Sequence, residues 1–225
     1  PRHEVELGEY YIARYPVTVA QFRVFVEASK YHPQDLDCLR GLPNHPVVHV
    51  TWYDALAYCD WLTAQLPNLP NLPPNLRQGW RVSLPSEAEW ERAARGTDDR
   101  IYPWGSEFDP DKANTDESRI RGTSAVGCFP AGASPEGLLD LSGNIFEWTH
   151  SLWGNDFNKP EFTYPYSQRL RERENLNAGR DLLRVLRGGS WISSQVNARC
   201  AHRRKSNPDN GNNVRGFRIS LYASP

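Results

Sequence analysis

The part of this sequence that follows Gly96 shows no amphipathic helical periodicity. Short apolar pieces, Val126–Phe129, Leu183–Leu186 and Phe217–Leu221, alternate there with Gly, Pro, Asn and Ser, which predicts short strands between long loops. The chain contains 8 Trp, 10 Tyr and 8 Phe at a net charge of −1, and disordered chains are poor in aromatic residues. The sequence therefore predicts an ordered, loop-rich second half held together by aromatic side chains.

Helices are predicted only towards the N-terminal side. Thr18, Thr51 and Ser86 each stand three residues before a glutamine, aspartate or glutamate, the spacing of a capping box, and apolar residues follow at helical intervals. The third helix is expected to end at Gly96. Three glutamates early in that helix, beginning with Glu87, are expected to be solvated and to complement the helix dipole. The pattern as a whole is typical of an α+β fold.

Composition and length limit the other possibilities. With no repeat and no low-complexity linker, residues 1–225 are predicted to form one domain, expected to be a monomer. A net charge of −1 argues against nucleic-acid binding, and no apolar run approaches the roughly 18 residues that a membrane span needs. The 4 cysteines form no CxxC pair, so neither a zinc site nor a particular disulfide is predicted. Because the sequence has no Met, residues upstream of Pro1 are expected to be missing, and the cellular location is not indicated.

Six motifs then occur in one order along the chain, and together they resemble one family. They are Pro46–Ala55, Arg81–Glu91, Tyr102–Gly105, Gly143–Trp148, Leu186–Trp191 and Gly216–Arg218. The chain resembles the formylglycine-generating-enzyme-like (sulfatase-modifying-factor) family over nearly its whole length. The resemblance implies a variant of the C-type lectin fold, a mixed α/β domain with little regular secondary structure.

The same resemblance allows the oxidase activity of the family to be examined. Oxidase members hold copper with two cysteines, five residues apart, just after the glycine-rich motif that here ends at Trp191. The corresponding run, Ile192–Asn197, contains no sulfur, and Cu(I) prefers soft thiolate ligands. Neither copper nor oxidase catalysis is therefore expected, and Cys200 is expected to be a core residue.

Calcium is the one cofactor that the resemblance suggests. Similar family members place a calcium ion in the loop that here carries the side chains of Asp140 and Glu147 and the carbonyls of Gly143 and Ile145. Carboxylates and carbonyls in a flexible loop are the ligands that calcium prefers. The alternative is that Asp140 and Glu147 accept hydrogen bonds from loop N–H groups, and both interpretations stay open.

Residues 192–215 are predicted to form a ligand-binding segment. A rigid frame is expected to surround it, formed by residues that include Trp191, Arg203, Pro208 and the terminal Gly-Phe-Arg. The candidate contact residues between them are Ile192, Ser193, Ser194, Val196, Asn197, His202, Arg204, Lys205, Ser206, Asn207, Asp209, Asn210, Gly211, Asn212, Asn213, Val214 and Arg215. Changing only the adenines of an asparagine codon yields every one of these residues except Lys205. The segment thus resembles the diversified region of variable proteins made by diversity-generating retroelements.

These observations favour a binding module that displays varied side chains on a fixed scaffold, and not an enzyme. The alternatives are a generic accessory domain of the family and an enzyme that uses a chemistry other than the oxidase reaction. Within the segment the cations Arg204, Lys205 and Arg215 outnumber the single acid, Asp209. The expected partner is therefore an acidic or mixed-polar protein surface, while the frame arginines Arg199, Arg203 and Arg218 are expected to turn inward.

Overall fold

The computed structural model describes residues 4–163 and 170–224, which fold into short helices and two small sheets. The helices are α1 Val19–Ser29, α2 Trp52–Gln65, α3 Glu87–Arg95 and α4 Leu170–Arg173. The strands are β1 Tyr10–Ile12, β2 Trp80–Ser83, β3 Phe146–Gly154, β4 Leu183–Arg187, β5 Arg204–Ser206, β6 Arg215–Gly216 and β7 Ser220–Ala223. Long loops connect them, so the predicted α+β, loop-rich architecture is confirmed.

The three predicted capping boxes begin α1, α2 and α3. In each, the hydroxyl of Thr18, Thr51 or Ser86 accepts a hydrogen bond from the backbone N–H three residues later, and the side chain there accepts one from the cap's own N–H. These reciprocal bonds satisfy N–H groups that a helix end leaves unpaired. Gly96 follows α3 with a φ of 68°, a backbone conformation that favours glycine.

The main core lies between α1, α2 and the two sheets. Phe22 of α1 and Tyr58 of α2 pack against Phe217, with ring centroids 6.4 and 5.5 Å from the Phe217 ring. Trp148 and Leu186, from β3 and β4, close the same cluster. A second, smaller cluster around Trp90 of α3 includes the buried Cys200. The expectation that Cys200 is a core residue is therefore correct.

The two sheets differ in strand direction. The three-stranded sheet has the order β1-β7-β2, with both pairs antiparallel, so the last strand of the chain lies in the middle. The four-stranded sheet has the order β5-β4-β3-β6; β3–β4 and β4–β5 are antiparallel, and β3–β6 is parallel. Phe146 of β3 is in register with Arg215 of β6, and Leu186 of β4 with Arg204 of β5.

Strand positions were predicted less well than helix positions. Leu183–Leu186 lies within β4, as predicted, but Phe217–Leu221 enters a strand only at Ser220. Val126–Phe129 forms a turn instead of a strand, because its backbone bonds go to loops: Val126 N–H donates to the Asn44 carbonyl at 2.9 Å. Across the described residues, no helix has the length and apolar character needed to cross a bilayer. All four cysteines are free thiols.

Candidate ligand-binding surface

Segment 192–215 joins β4 to β6 and contributes the edge strand β5 on the way. It leaves β4 through Gly188 and Gly189, whose φ angles are 95° and 77°. A Cβ on Gly188 would lie 3.2 Å from the Trp90 ring, and one on Gly189 would lie 3.0 Å from the Cα of Ala198. Both glycines are thus required by conformation and by close packing. They fix the direction in which the segment leaves the sheet.

A buried glutamate lies beneath the segment, contrary to the prediction from the sequence. Glu87 is fully buried, not solvated, and its carboxylate pairs with Arg173, Arg187 and Arg203. Burial alone would raise the pKa of Glu87, but the three guanidinium groups lower it to about 2. The network links α3, α4 and β4 to Arg203, near the middle of segment 192–215, in one charged cluster.

A second buried ion pair lies beneath the other end of the segment. Both carboxylate oxygens of Glu147 accept hydrogen bonds from Arg218, at 2.6 and 2.7 Å, and one also accepts from Trp90 at 2.7 Å. Arg218 donates in addition to the carbonyls of Ala13 and Leu139. Arg203 and Arg218 therefore turn inward as predicted. Arg199 does not: it is exposed, and its Nε donates to the Val196 carbonyl at 2.8 Å.

The structure divides the seventeen candidate contact residues by exposure. Seven are exposed: Ile192, Ser194, Val196, Arg204, Asn207, Asn210 and Asn213. Seven are half-buried: Asn197, His202, Lys205, Asp209, Gly211, Asn212 and Arg215. Three are buried: Ser193, Ser206 and Val214. These last three do not reach solvent, so the segment's accessible surface is smaller than predicted.

Burial of those three side chains has a specific cause in each case. Ser193 Oγ accepts a hydrogen bond from the Ser190 N–H at 3.0 Å and thereby closes the turn after the glycine pair. Ser206 is the last residue of β5, paired with Arg184 of the central strand β4. Val214 joins the main hydrophobic core. All three are frame residues.

The asparagine-rich turn at 207–213 also has structural roles. Asn207 Oδ1 accepts from the Asp209 N–H at 2.9 Å, and Asn212 Oδ1 accepts from the Val214 N–H at 3.1 Å, as in Asx turns. The Asn212 carbonyl accepts from the His49 N–H at 2.8 Å. The turn is therefore an ordered surface held against the loop before α2. Asn210 and Asn213 are its exposed side chains.

Burial together with nearby cations lowers the pKa values of His202 and Arg215. Burial, aided by Arg187 and other nearby cations, lowers the pKa of His202 to about 4, so the imidazole is neutral at pH 7. Burial, aided by Arg204, lowers the pKa of Arg215 to about 10, which leaves its guanidinium charged at pH 7. The segment therefore presents cations and a neutral histidine.

Exposed aliphatic side chains lie at the other end of the segment. Ile192 is 54% exposed and Val196 is 55% exposed. Between them and the core, the half-buried Trp191 donates through Nε1 to the Asn213 carbonyl at 3.3 Å. This bond links Trp191, the residue before the aliphatic end, to the asparagine-rich turn.

The predicted calcium ligands lie in one loop and the strand after it, but Glu147 does not fit that role. Its carboxylate is fully buried and already neutralised by Arg218. The Gly143 carbonyl accepts a hydrogen bond from the Ile145 N–H at 2.8 Å. Burial raises the pKa of Asp140, the remaining carboxyl. Calcium needs six to eight oxygen ligands, and its binding through Asp140, Gly143 and Ile145 stays a prediction.

Comparisons with known proteins identify relatives of the whole chain. A family model described as "Sulfatase-modifying factor enzyme 1-like domain" matches residues 1–222. The chain is 33% identical to the serine/threonine-protein kinase pkn1 of Chlamydia caviae, over 98% of this chain and 34% of that protein. It is 32% identical to the formylglycine-generating enzyme of Bos taurus, over 88% of this chain and 50% of that enzyme. The chain thus spans a third to a half of the length of these relatives.

Solved structures show a similar fold. Treponema denticola variable protein 1 superposes with a TM-score of 0.69 at 23% identity, over 96% of this chain and 84% of that one. The P3c variant of the Major Tropism Determinant superposes with a TM-score of 0.50 at 14% identity, over 94% of this chain and 50% of that one. The predicted fold class, a C-type lectin fold of the formylglycine-generating-enzyme type, is confirmed.

Proposed function

The chain belongs to the sulfatase-modifying factor enzyme 1-like family, and from this we propose that it is a ligand-binding display module. Its contact surface is the exposed part of segment 192–215. The ligand is a protein surface, and the side chains that contact it differ between copies of the gene because asparagine codons are mutated at their adenines. The proposal therefore has two parts, binding by the segment and diversification of the segment.

One observation carries the binding part: the segment separates side chains that hold the fold from side chains that face solvent. Arg203 and Val214 are tied into buried networks or the core, whereas neighbours such as Arg204 and Asn213 project outward. A scaffold of this kind tolerates changes at its outward positions, because surface substitutions usually alter stability by less than about 0.5 kcal/mol. It can therefore change its partner without losing its fold.

The diversification part is supported by the residue set and by the fold. Six of the seven exposed candidates are asparagine, serine, isoleucine or valine, and the seventh is Arg204. Adenine changes in an asparagine codon reach all of these residues. The fold is shared with proteins whose names describe variation, the Treponema denticola variable protein 1 and variants of the Major Tropism Determinant.

The buried cysteines Cys38 and Cys200 do not suit oxidase chemistry, whereas Cys128 is an exposed free thiol. Burial raises the pKa of Cys200 to about 12 and that of Cys38 to about 12, so both thiols stay protonated at neutral pH. A protonated, buried thiol neither binds copper nor attacks a disulfide efficiently. The alternatives are an accessory domain without a variable surface and an enzyme of another chemistry, and each predicts a different experimental result.

The binding part is tested with a displayed library in which the seven exposed candidate positions are randomised together. Most members are expected to stay folded, as judged by protease resistance, and selection against unrelated purified proteins is expected to yield binders. A matched library that randomises Ser193, Ser206 and Val214 should lose the fold. If the exposed-position library unfolds as completely as the matched one, segment 192–215 is not a display surface.

The diversification part is tested on DNA. Sequencing the gene in independent isolates is expected to show differences concentrated at adenines within codons 192–215, with a near-copy of this stretch beside a reverse transcriptase. Identical segments without such a copy would indicate the accessory domain. Separately, stoichiometric copper or iron in the purified protein, together with turnover of a thiol substrate, would indicate an enzyme.

A further inference from the structure

Two arginines of segment 192–215 come from the two edge strands of the four-stranded sheet, on the face of the sheet that carries Phe146. The Cζ of Arg204 is 5.2 Å from the centroid of Phe146. Arg215 is the register partner of Phe146, and paired residues of neighbouring strands place their side chains on the same face. Arg204 comes from β5 at one edge of the sheet, and Arg215 comes from β6 at the other edge. The sheet thus brings together two cations that are eleven positions apart in sequence.

No described carboxylate neutralises this arginine pair. Neither Arg204 nor Arg215 forms an ion pair, and Asp209, the one acid of the segment, lies 3.6 Å from Arg180 instead. Arg215 donates once, to the Asn210 carbonyl at 2.8 Å, while its buried Nε has no hydrogen-bond partner. Most other arginines next to the segment, such as Arg187 and Arg203, are paired with Glu87. An unneutralised pair beside a neutralised network is an arrangement that an external anion would stabilise.

Lys205 does not belong to the arginine pair. Successive residues of a strand point to opposite faces, and the Lys205 ammonium lies 5.1 Å from the Trp153 ring and 4.9 Å from the Phe157 ring. Phe146 itself is buried in the main core, so the positive charge available to a partner is the guanidinium groups of the exposed Arg204 and the half-buried Arg215, not a continuous basic stripe. A site of two planar guanidinium groups suits one or two carboxylates, which arginine binds with paired hydrogen bonds.

The surroundings favour a protein over a nucleic acid as the source of that anion. The exposed side chains of the segment include the aliphatic Ile192 and Val196 and no aromatic ring on which a base could stack. An acidic peptide segment with an apolar neighbour matches both the cations and the aliphatic end of the surface.

We propose that Arg204 and Arg215 bind carboxylates of an acidic segment on the partner protein. This inference rests on the proposed function and names the chemistry of the partner for this copy of the segment. Other copies, with other residues at 204 and 215, would bind other partners.

The test measures binding of fluorescein-labelled poly-L-glutamate to the whole chain by fluorescence anisotropy at low salt. The double variant R204Q/R215Q is expected to lose at least tenfold in affinity. The control K30Q/R81Q removes the same number of charges from exposed positions at the C-cap of α1 and on β2 and is expected to lose less than threefold. The variant R204K/R215K keeps the charge without the planar guanidinium and is expected to recover only part of the loss. Thermal melts establish that each variant is folded.

Three results would overturn the inference. These are equal affinity of R204Q/R215Q and the wild type, equal losses in R204Q/R215Q and K30Q/R81Q, and tighter wild-type binding to heparin or to a single-stranded DNA oligonucleotide than to poly-L-glutamate. The display library separates this inference from the proposed function. If the library yields binders and the arginine variants bind poly-L-glutamate normally, only the carboxylate assignment is wrong; if the library fails, the display function is wrong.

Discussion

Glu87 shows how one residue can hold distant parts of this chain together. Its carboxylate meets arginines 86, 100 and 116 positions away in sequence. Two of these, Arg173 and Arg187, are themselves fully buried. A buried guanidinium without a counter-charge is strongly unfavourable, so these arginines depend on Glu87. A single sequence gives no sign of this, because an acid at the start of a helix is equally typical of a solvated one.

Replacing Glu87 by glutamine is expected to destabilise the protein by about 3–5 kcal/mol, because three guanidinium groups lose a shared buried counter-charge, although Arg173 still pairs with Glu174 and Arg187 with Glu91. The pKa of Glu87 is lowered to about 2, below its unfolded value. Its contribution to stability is therefore complete above about pH 4.5 and is lost as the pH falls towards 2. Denaturant titrations of wild type and E87Q between pH 7 and pH 2 measure this. The control E27Q, at an exposed position of α1, should match the wild type throughout.

Phe217 and Ile192 represent the two kinds of apolar residue at this end of the chain. Phe217 is fully buried, so Phe217→Ala is expected to cost about 3–5 kcal/mol. Ile192 is 54% exposed, so Ile192→Ala is expected to change stability by less than about 0.5 kcal/mol. Trp191→Ala should fall between them, because Trp191 is half-buried. Equal destabilisation by the three variants in denaturant titrations would contradict the division into frame and surface.

At the scale of elements, α1, α2 and α3 were predictable, whereas the four-residue α4 and most strands were not. A capping box is a local signal, since Thr18 and Gln21 meet without any help from the rest of the chain. The strands are as short as two residues, as in β6, and they pair with partners distant in sequence. Nothing local distinguishes Arg215–Gly216, which forms a strand, from Val126–Phe129, which forms a turn. The exposure of each candidate residue depends on those pairings. For the same reason, Ser206 and Val214 were wrongly predicted to be exposed contact residues.

The first helix offers a direct measurement of its cap. Thr18→Ala removes the side-chain acceptor for the Gln21 N–H and is expected to cost about 1 kcal/mol. Thr18→Ser keeps a hydroxyl oxygen in the same place and is expected to lower stability by only a few tenths of a kcal/mol. Denaturant titrations distinguish the two outcomes. If both variants are equally destabilised, packing of the threonine methyl group and not the hydrogen bond supports this end of α1.

The surface turn at 207–213 is expected to respond unevenly to substitution. Asn210→Ala and Asn213→Ala change exposed side chains and should leave the melting temperature within about 2 °C of the wild type. Asn212→Ala removes the acceptor of the Val214 N–H and should lower stability by about 1 kcal/mol. Gly211→Ala should be the most damaging of the four, because a Cβ there would lie 3.0 Å from the His49 backbone. Thermal melts of the four single variants give the ranking.

For the whole molecule, the fold class came from the order of six motifs and not from periodicity. The motifs that carried the resemblance are the ones that the structure uses as frame. Glu87 lies in the second motif, Glu147 in the fourth, Arg187 in the fifth and Arg218 in the sixth, and all four are buried in ion pairs. Ser193, Ser206 and Val214, whose burial was not predicted, lie between the motifs, whereas Glu87, whose burial was also not predicted, lies within one. Between the motifs, solvent exposure decides whether a residue contacts a partner, and a sequence pattern does not report exposure.

The central position of β7 has a consequence for how the molecule is made. A chain that stops within segment 192–215 lacks both Arg218, the partner of Glu147, and the strand to which β1 and β2 bind. Such a chain has neither a three-stranded sheet nor a closed core, so it is expected to be degraded. A shift of reading frame inside the segment has the same effect. Folding therefore acts as a check on translation, because only chains that are complete through β7 can form the three-stranded sheet and reach the native state.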